Sequence, residues 1–252
     1  MMRRFVLKLQ YDGRGYRGWQ RQKNTKNTIQ GHLNSLIERA FDQPIDLQGA
    51  SRTDAGVHAA GQVAGFDLDT DLAPVDIARR INRYLPEDIA VTGWAEVDRS
   101  FHVRHAVVNK KYCYTVYESD KPDVFQRHLE WTVEGPLDIE VMKRAASPLI
   151  GKHDFSGFSV GRSKKSIRTI EQLEIAVVSE DNGRRIRFSV TGDGFLHHMI
   201  RLIVGTLIAI GRGQLPVGVI ETILQDKNRS LAILAPAGGL CLMEVHYPTK
   251  IF

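Results

Sequence analysis

The chain has 252 residues, with 34 Lys and Arg against 29 Asp and Glu, a formal net charge of +5, and 42% hydrophobic residues. This composition suits a globular protein of one large or two ordinary domains and excludes a disordered or low-complexity chain. The two cysteines, Cys113 and Cys241, lie far apart and outside any metal-type spacing, which excludes a disulfide framework and leaves reduced thiols in a cytoplasmic setting as the expectation.

Phe5 to Tyr11 alternates apolar and polar residues and reads as a strand. A signal peptide needs a continuous apolar stretch there, so none is expected. A Gly-rich basic loop runs from Asp12 to Lys26, and Asn27 with Gln30 reads as a capping pair for a helix carrying Ile29, Leu33, Leu36, Ile37 and Ala40. After an excursion over residues 50–61, Gln62 to Phe66 reads as a strand. Pro74 opens a helix through Leu85 that Pro86 stops, and Ile89 to Val97 is a third strand.

The second half repeats the theme. Tyr112 to Tyr117 is aromatic and β-branched, hence a strand. Asp138 begins a helix. Ile170 to Val178 and Arg185 to Thr191 flank Glu180, Asp181, Asn182 and Gly183 as a hairpin. Phe195 to Ile210 reads as a buried helix, interrupted by His197, His198 and Arg201 and too short to span a bilayer. Pro216 opens a helix through Leu224, and Leu240 to Tyr247 is a closing strand. Two mixed domains follow, 1–105 and 106–252, with the boundary near His105.

The net charge is modest, although the sequence pI is near 9.2. Its placement is more informative. Arg14, Arg17, Arg21, Lys23 and Lys26 form one basic stripe, interleaved with Tyr11, Tyr16 and Trp19. Arg79, Arg80 and Arg83 form a second, and Arg162, Lys164, Lys165 and Arg168 a third. Such stripes suit a phosphate backbone, and equally an ordinary solvated surface.

The stretch most indicative of chemistry is Arg52-Thr53-Asp54-Ala55-Gly56-Val57-His58-Ala59. An acid beside an arginine in a glycine-containing turn suits a carboxylate held ionised, with room for substrate to approach closely. A turn-capping aspartate is the plain alternative. Three further stretches accompany it: Tyr11-Asp12-Gly13 leading to Gly18-Trp19-Gln20, Lys111-Tyr112-Cys113-Tyr114, and Phe195-Leu196-His197-His198-Met199-Ile200-Arg201. In this order and at these distances the chain resembles the tRNA pseudouridine synthase A family. The likeness extends to His153-Asp154-Phe155, Arg168-Thr169-Ile170, Gly239-Leu240 and Tyr247-Pro248.

The resemblance implies an isomerase that converts uridine to pseudouridine at positions 38, 39 and 40 of the tRNA anticodon stem-loop, with neither metal nor cofactor. It implies a cytoplasmic homodimer whose RNA crosses both subunits. Asp54 matches the catalytic aspartate, Tyr112 the tyrosine against the target base, and Arg201 the arginine paired with the aspartate. Arg52 matches an arginine that helps hold the flipped nucleotide, and His58 reads as ordering the loop. The implied architecture is α+β: two ferredoxin-like or RNA-recognition-like domains sharing an extended mixed, mainly antiparallel sheet with a central cleft. Attack by Asp54 at the ribose anomeric carbon, attack at the uracil ring, and a glycal-like route all remain open on this reading.

Each role has a plain rival. A strand aromatic such as Tyr112 is ordinarily core, and a helix arginine such as Arg201 ordinarily reaches solvent along its stem. His197 and His198 would point about 100° apart as helix neighbours and form no metal pair. For the whole chain, a non-catalytic RNA-binding protein using the same basic cleft would serve the basic stripes equally well. A nucleoside glycosidase would ordinarily want a second acid beside Asp54, and the sequence supplies none. Two residues depart from the family pattern: Ser51 where glycine commonly stands, and Arg14 where threonine or serine is usual.

Overall fold

In the computed structural model, which describes residues 1–161 and 165–252, the first strand, β1 (Met2–Tyr11), is central to a small sheet. β3 (His58–Asp69) and β4 (Ile89–Val97) flank it, both antiparallel, and the two-residue β2 (Gln48–Gly49) pairs with β3. Phe5, Leu7, Leu9 and Tyr11 are all buried, as their alternation requires. Val6, on the opposite face, is buried too. It belongs to a second cluster with Ala50, Val63 and Val103, covered by Phe101, Tyr247 and Ile251. Helices α1 (Ile29–Phe41) and α2 (Pro74–Asn82) connect the strands and bury Ile29, Leu33, Leu36, Ile37, Ile77, Ala78 and Ile81. These elements form a compact unit of Met1–Val108 together with Leu242–Phe252.

The second unit, Asn109–Cys241, orders its sheet β5-β9-β8-β7. Its strands are β5 (Asn109–Glu118), β6 (Trp131–Val133), β7 (Gly151–Asp154), β8 (Ile167–Glu180) and β9 (Gly183–Gly192). The pairs are antiparallel except β5 with β6, which is parallel. The β8–β9 hairpin turns on Asp181 and Asn182, since Glu180 pairs with Gly183. Arg185 on β9 is bound by Glu130, Asp123 and Glu180, lies over the Tyr117 ring, and so fastens the excursion between β5 and β6 to the hairpin. Among the described residues, three α-helices accompany this sheet: α3 (Ile139–Ala146), α4 (Met199–Gly211) and α5 (Val219–Asp226). The chain leaves the unit along β10 (Leu240–His246), whose later residues run beside β3 of the first unit, with Gly61 against the Met243 carbonyl. Both units are α+β, as the sequence indicates. Among the described residues no helix is long and apolar enough to cross a membrane.

Several boundaries differ from the sequence reading. Thr28, not Asn27, caps α1: its Oγ1 accepts from the Gly31 N–H at 3.1 Å, while the Asn27 side chain donates to the Gly15 carbonyl. Gln30 is used elsewhere, taking hydrogen bonds from Gln20 and the Arg21 N–H and donating to the Leu47 carbonyl. The helix α4 begins at Met199, not Phe195, because His198 is left-handed, at φ 64°. α2 ends at Asn82 rather than Leu85, and α5 starts at Val219 rather than Pro216. Arg162 and Lys164 of the third basic stripe lie outside the described residues.

Thr28 is fully buried, and its capping bond satisfies one of the donors every helix leaves unpaired at its start. Thr28→Ala is expected to cost about 1 kcal/mol and lower the melting temperature by roughly 2–4 °C. A thermal melt followed by circular dichroism checks this.

Candidate active site

Asp54 lies on the loop between β2 and β3, and its neighbours explain why that loop has one shape. Gln62 on β3 is wholly buried beneath it. Its Oε1 accepts from the Ser51 N–H at 3.1 Å and its Nε2 donates to the Ser51 carbonyl at 2.8 Å. A side-chain amide thus continues the pairing of the Ala50 N–H with the Val63 carbonyl past the point where the backbone ladder ends. The next residue but one, Thr53, is buried, with its Oγ1 2.8 Å from the Tyr11 hydroxyl and its carbonyl accepting from the Trp19 N–H at 3.0 Å. The turn closes with the Val57 N–H donating to the Asp54 carbonyl at 3.1 Å. Arg52 and Ala55 are exposed, Asp54 is half-buried, and Val57 and His58 are buried.

The loop from residue 12 to 20 packs against the Asp54 loop, and its glycines permit the approach. A Cβ on Gly13 would stand 2.0 Å from the Val57 carbonyl oxygen. Gly18, at φ +92°, would place one 2.7 Å from the Thr53 oxygen. Trp19 is fully buried and tilted against Tyr11. Tyr11, Tyr16 and Trp19 therefore face inward as scaffold and are not a stacking platform among the exposed Arg17, Arg21, Lys23 and Lys26. The Tyr16 hydroxyl donates to Asp88 at 2.7 Å. Burial, with that bond second, pushes its pKa well above the ordinary tyrosine value.

His58 Nδ1 is 3.2 Å from both the Gly13 nitrogen and Asp12 Oδ1. Unprotonated, it accepts from the Gly13 N–H; protonated, it donates to Asp12. Burial pushes the Asp12 carboxyl up, but hydrogen bonds from Arg14 and the charge of His58 outweigh burial and hold it below the ordinary 3.8. His58 thus fastens one glycine-rich loop to the other.

The remaining expected site residues lie in the second unit. Tyr112, on β5, is 5% exposed and meets the edge of the Phe195 ring at 5.3 Å. Arg201 is half-buried on α4. Its Nε donates to the Ala235 carbonyl at 2.9 Å, while its own carbonyl accepts from the Ala235 N–H at 3.1 Å. The strap around Ala235 lies directly on α4 because Gly205 offers no side chain: a Cβ there would be 2.2 Å from the Ile233 oxygen. The same strap accepts a 2.7 Å hydrogen bond from Tyr114 to the Pro236 carbonyl. One strap therefore locates both the strand of Tyr112 and the helix of Arg201. Burial raises the Tyr114 hydroxyl pKa, and the nearby Arg201 charge partly opposes it.

His197 and His198 precede α4 rather than lying on it, with ring centroids 3.9 Å apart. The helical argument that separated them does not apply. His197 is tied to Val160, whose N–H donates to its carbonyl at 3.1 Å.

The protein-family model described as tRNA pseudouridine synthase matches residues 9–105 and 145–248. The chain belongs to this family. Its relatives include the tRNA pseudouridine synthase A of Acetivibrio thermocellus, 42% identical over 98% of this chain and 100% of that protein. The tRNA pseudouridine synthase A 2 of Bacillus cereus is 41% identical over 98% of this chain and 100% of its own. The crystal structure of the archaeal box H/ACA sRNP Nop10-Cbf5 complex is a distant likeness, 13% identical at a TM-score of 0.39, covering 82% of this chain and 44% of that one. It is too weak for the fold to rest on. As a member of the family the protein is an isomerase, a pseudouridine synthase.

Sequence reasoning about this synthase missed Gln62, the Asp12–His58 contact and the strap at Ala235. The Arg52-Thr53-Asp54-Ala55-Gly56 string signals the loop but not the buried amide that shapes it. A polar residue inside the strand His58–Asp69 is the available signal, since a buried amide requires partners.

Two outcomes are expected. Gln62→Leu removes one hydrogen bond from each backbone group of the buried Ser51, costing about 1–3 kcal/mol and lowering turnover more than tRNA affinity; denaturant melts and single-turnover assays read both. Because the Asp12 pKa is depressed on folding, its contribution to stability is present above 3.8 and is lost as pH falls through the lower folded value. Urea melts at pH 5 and pH 3 are expected to show a larger loss for the wild type than for Asp12→Asn.

Proposed function

We propose that the protein converts uridine to pseudouridine at positions 38, 39 and 40 of the tRNA anticodon stem-loop, with Asp54 as the nucleophile. One observation carries this reading within the family assignment: Asp54 is half-buried on a loop whose flanking residues, Thr53 and Val57, are both buried and hydrogen-bonded. A carboxylate so mounted reacts without first being ordered.

The reaction is a net isomerisation. The bond from ribose C1′ to uracil N1 breaks, C1′ rejoins the ring at C5, the C5 proton leaves and N1 gains one. No redox equivalent is consumed, so a carboxylate in a cleft suffices and neither metal nor cofactor is required. The target uridine leaves the helical stack before reaction. In this reading Tyr112 stacks on the extruded base and its hydroxyl assists removal of the last proton. Arg201, fixed through Nε to Ala235, pairs with the Asp54 carboxylate, because an unpaired carboxylate in a low-dielectric cleft is costly. Arg52 holds the flipped nucleotide, and His58 orders the loop. The enzyme acts in the cytoplasm as a homodimer whose two copies share the RNA, recognised through shape, phosphates and 2′-hydroxyls.

Asp54→Asn and Asp54→Ala are expected to abolish turnover while leaving the dissociation constant for tRNA within about threefold, since the cationic surface is untouched. Carbodiimide-adduct mapping of the anticodon arm reads the product. Wild-type turnover in either variant would refute Asp54 as nucleophile. A wild-type protein that binds tRNA without making pseudouridine would be an RNA-binding protein, and release of free uracil would mark a glycosidase.

A further inference from the structure

Arg104 lies in the turn that follows β4, and it is tied to the segment that delivers Asp54. Its Nε and Nη2 both donate to the Gly49 carbonyl, at 3.3 and 3.1 Å. Gly49 ends β2, three positions before Arg52. The turn that carries Arg104 is itself fixed. His102 Nδ1 accepts from the N–H groups of Arg104 and His105, the Tyr247 hydroxyl donates to the Val103 carbonyl at 2.7 Å, and Val103 is core.

Some arginines of this unit are neutralised by a carboxylate. Arg3 pairs with Glu96, Arg4 with Asp67, Arg14 with Asp12 and Arg79 with Asp76. Among the described residues, neither Arg104 nor Arg52 has a carboxylate within ion-pair distance. A guanidinium has about five N–H donors, and Arg104 directs only one on each of two nitrogens at the protein. Burial, and then the charge of Arg52, both act against the Arg104 cation. Among the described residues the half-buried Arg104 guanidinium thus keeps Nη1 without a hydrogen-bond partner, and the segment it holds at Gly49 leads in three positions to the exposed Arg52.

We propose that Arg104 and Arg52 together form an anion site that takes a backbone phosphate of the RNA beside the target nucleotide. This rests on the RNA-substrate reading above. A phosphodiester meets both needs of the pair: it supplies the missing negative charge, and its two free oxygens match the planar donor fork of a guanidinium. Because Arg104 is pinned to Gly49, a phosphate held there is placed in register with the Asp54 loop. Arg104 is thus a positioning residue, acting on the RNA backbone and on the strand that leads to Asp54.

The test measures tRNA affinity against potassium chloride concentration for the wild type, Arg104→Gln and Arg104→Lys, with kcat and KM alongside. Arg104→Gln is expected to weaken binding about tenfold, raise KM more than it lowers kcat, and reduce the slope of log affinity on log salt by roughly 0.7–0.9. Arg104→Lys keeps the charge and is expected to keep the slope. An anticodon-arm RNA with one neutral methylphosphonate linkage beside the target is expected to reproduce the loss with wild type and add nothing with Arg104→Gln. An unchanged slope in Arg104→Gln would overturn the proposal and leave Arg104 a prop for Gly49. Should that variant fail to fold, the methylphosphonate scan on wild type decides, and no sensitive linkage near the target would overturn it equally. Pseudouridine formation by wild type, assayed in parallel, separates the two readings: product with an unchanged slope removes only the anion site, and absence of product removes both.

Discussion

The geometry of the Asp54 loop depends on one buried amide. Gln62 joins both backbone groups of Ser51 in the space where a strand partner would otherwise be. Without it both backbone groups of the buried Ser51 would lose a hydrogen bond where the loop leaves the sheet. With it, Thr53 reaches the Tyr11 hydroxyl and the Trp19 N–H, and the two glycine-rich loops lock together at Gly13 and Gly18. A carboxylate mounted this way is ordered by folding rather than by each encounter with a ligand.

The second unit solves a similar problem differently. Arg201 is anchored through Nε by a carbonyl from a distant strap, which approaches because Gly205 has no side chain. The same strap receives Tyr114, so the strand bearing Tyr112 and the helix bearing Arg201 are located by common backbone atoms. In the first unit Arg104 is likewise anchored by a carbonyl, that of Gly49. A carbonyl holds a guanidinium in place without cancelling its charge.

Much of this is legible in the sequence, and the exceptions have identifiable causes. β1 is readable because Phe5, Leu7, Leu9 and Tyr11 share one buried face. The cap of α1 reads one residue early because Asn27 suits a cap as well as Thr28 does; the fully buried Thr28 and Ile29 decide it. The start of α4 is obscured because Phe195, Leu196, Met199 and Ile200 are apolar on both sides of the break, and a left-handed His198 carries no sequence signal. The motifs around Tyr11 and Asp54 are visible as strings, but their mutual contact joins distant positions, Tyr11 and Thr53 being 42 apart. Ala235 is silent because its role belongs to partners elsewhere in the chain and a lone alanine announces nothing, whereas Gln62 gives only the faint signal of a polar residue within a strand.

The most direct measurement is a crystal structure of the Asp54→Asn protein bound to an anticodon-arm RNA that carries uridine at position 39. The expected result is one uracil turned out of its stack, with the substituted amide at position 54, the Tyr112 ring and the Arg201 guanidinium all in contact with that nucleotide or with each other. A bound RNA whose uridine lies away from position 54, or a site in which Tyr112 and Arg201 stand apart from it, would contradict the assignment of these three residues to one reaction.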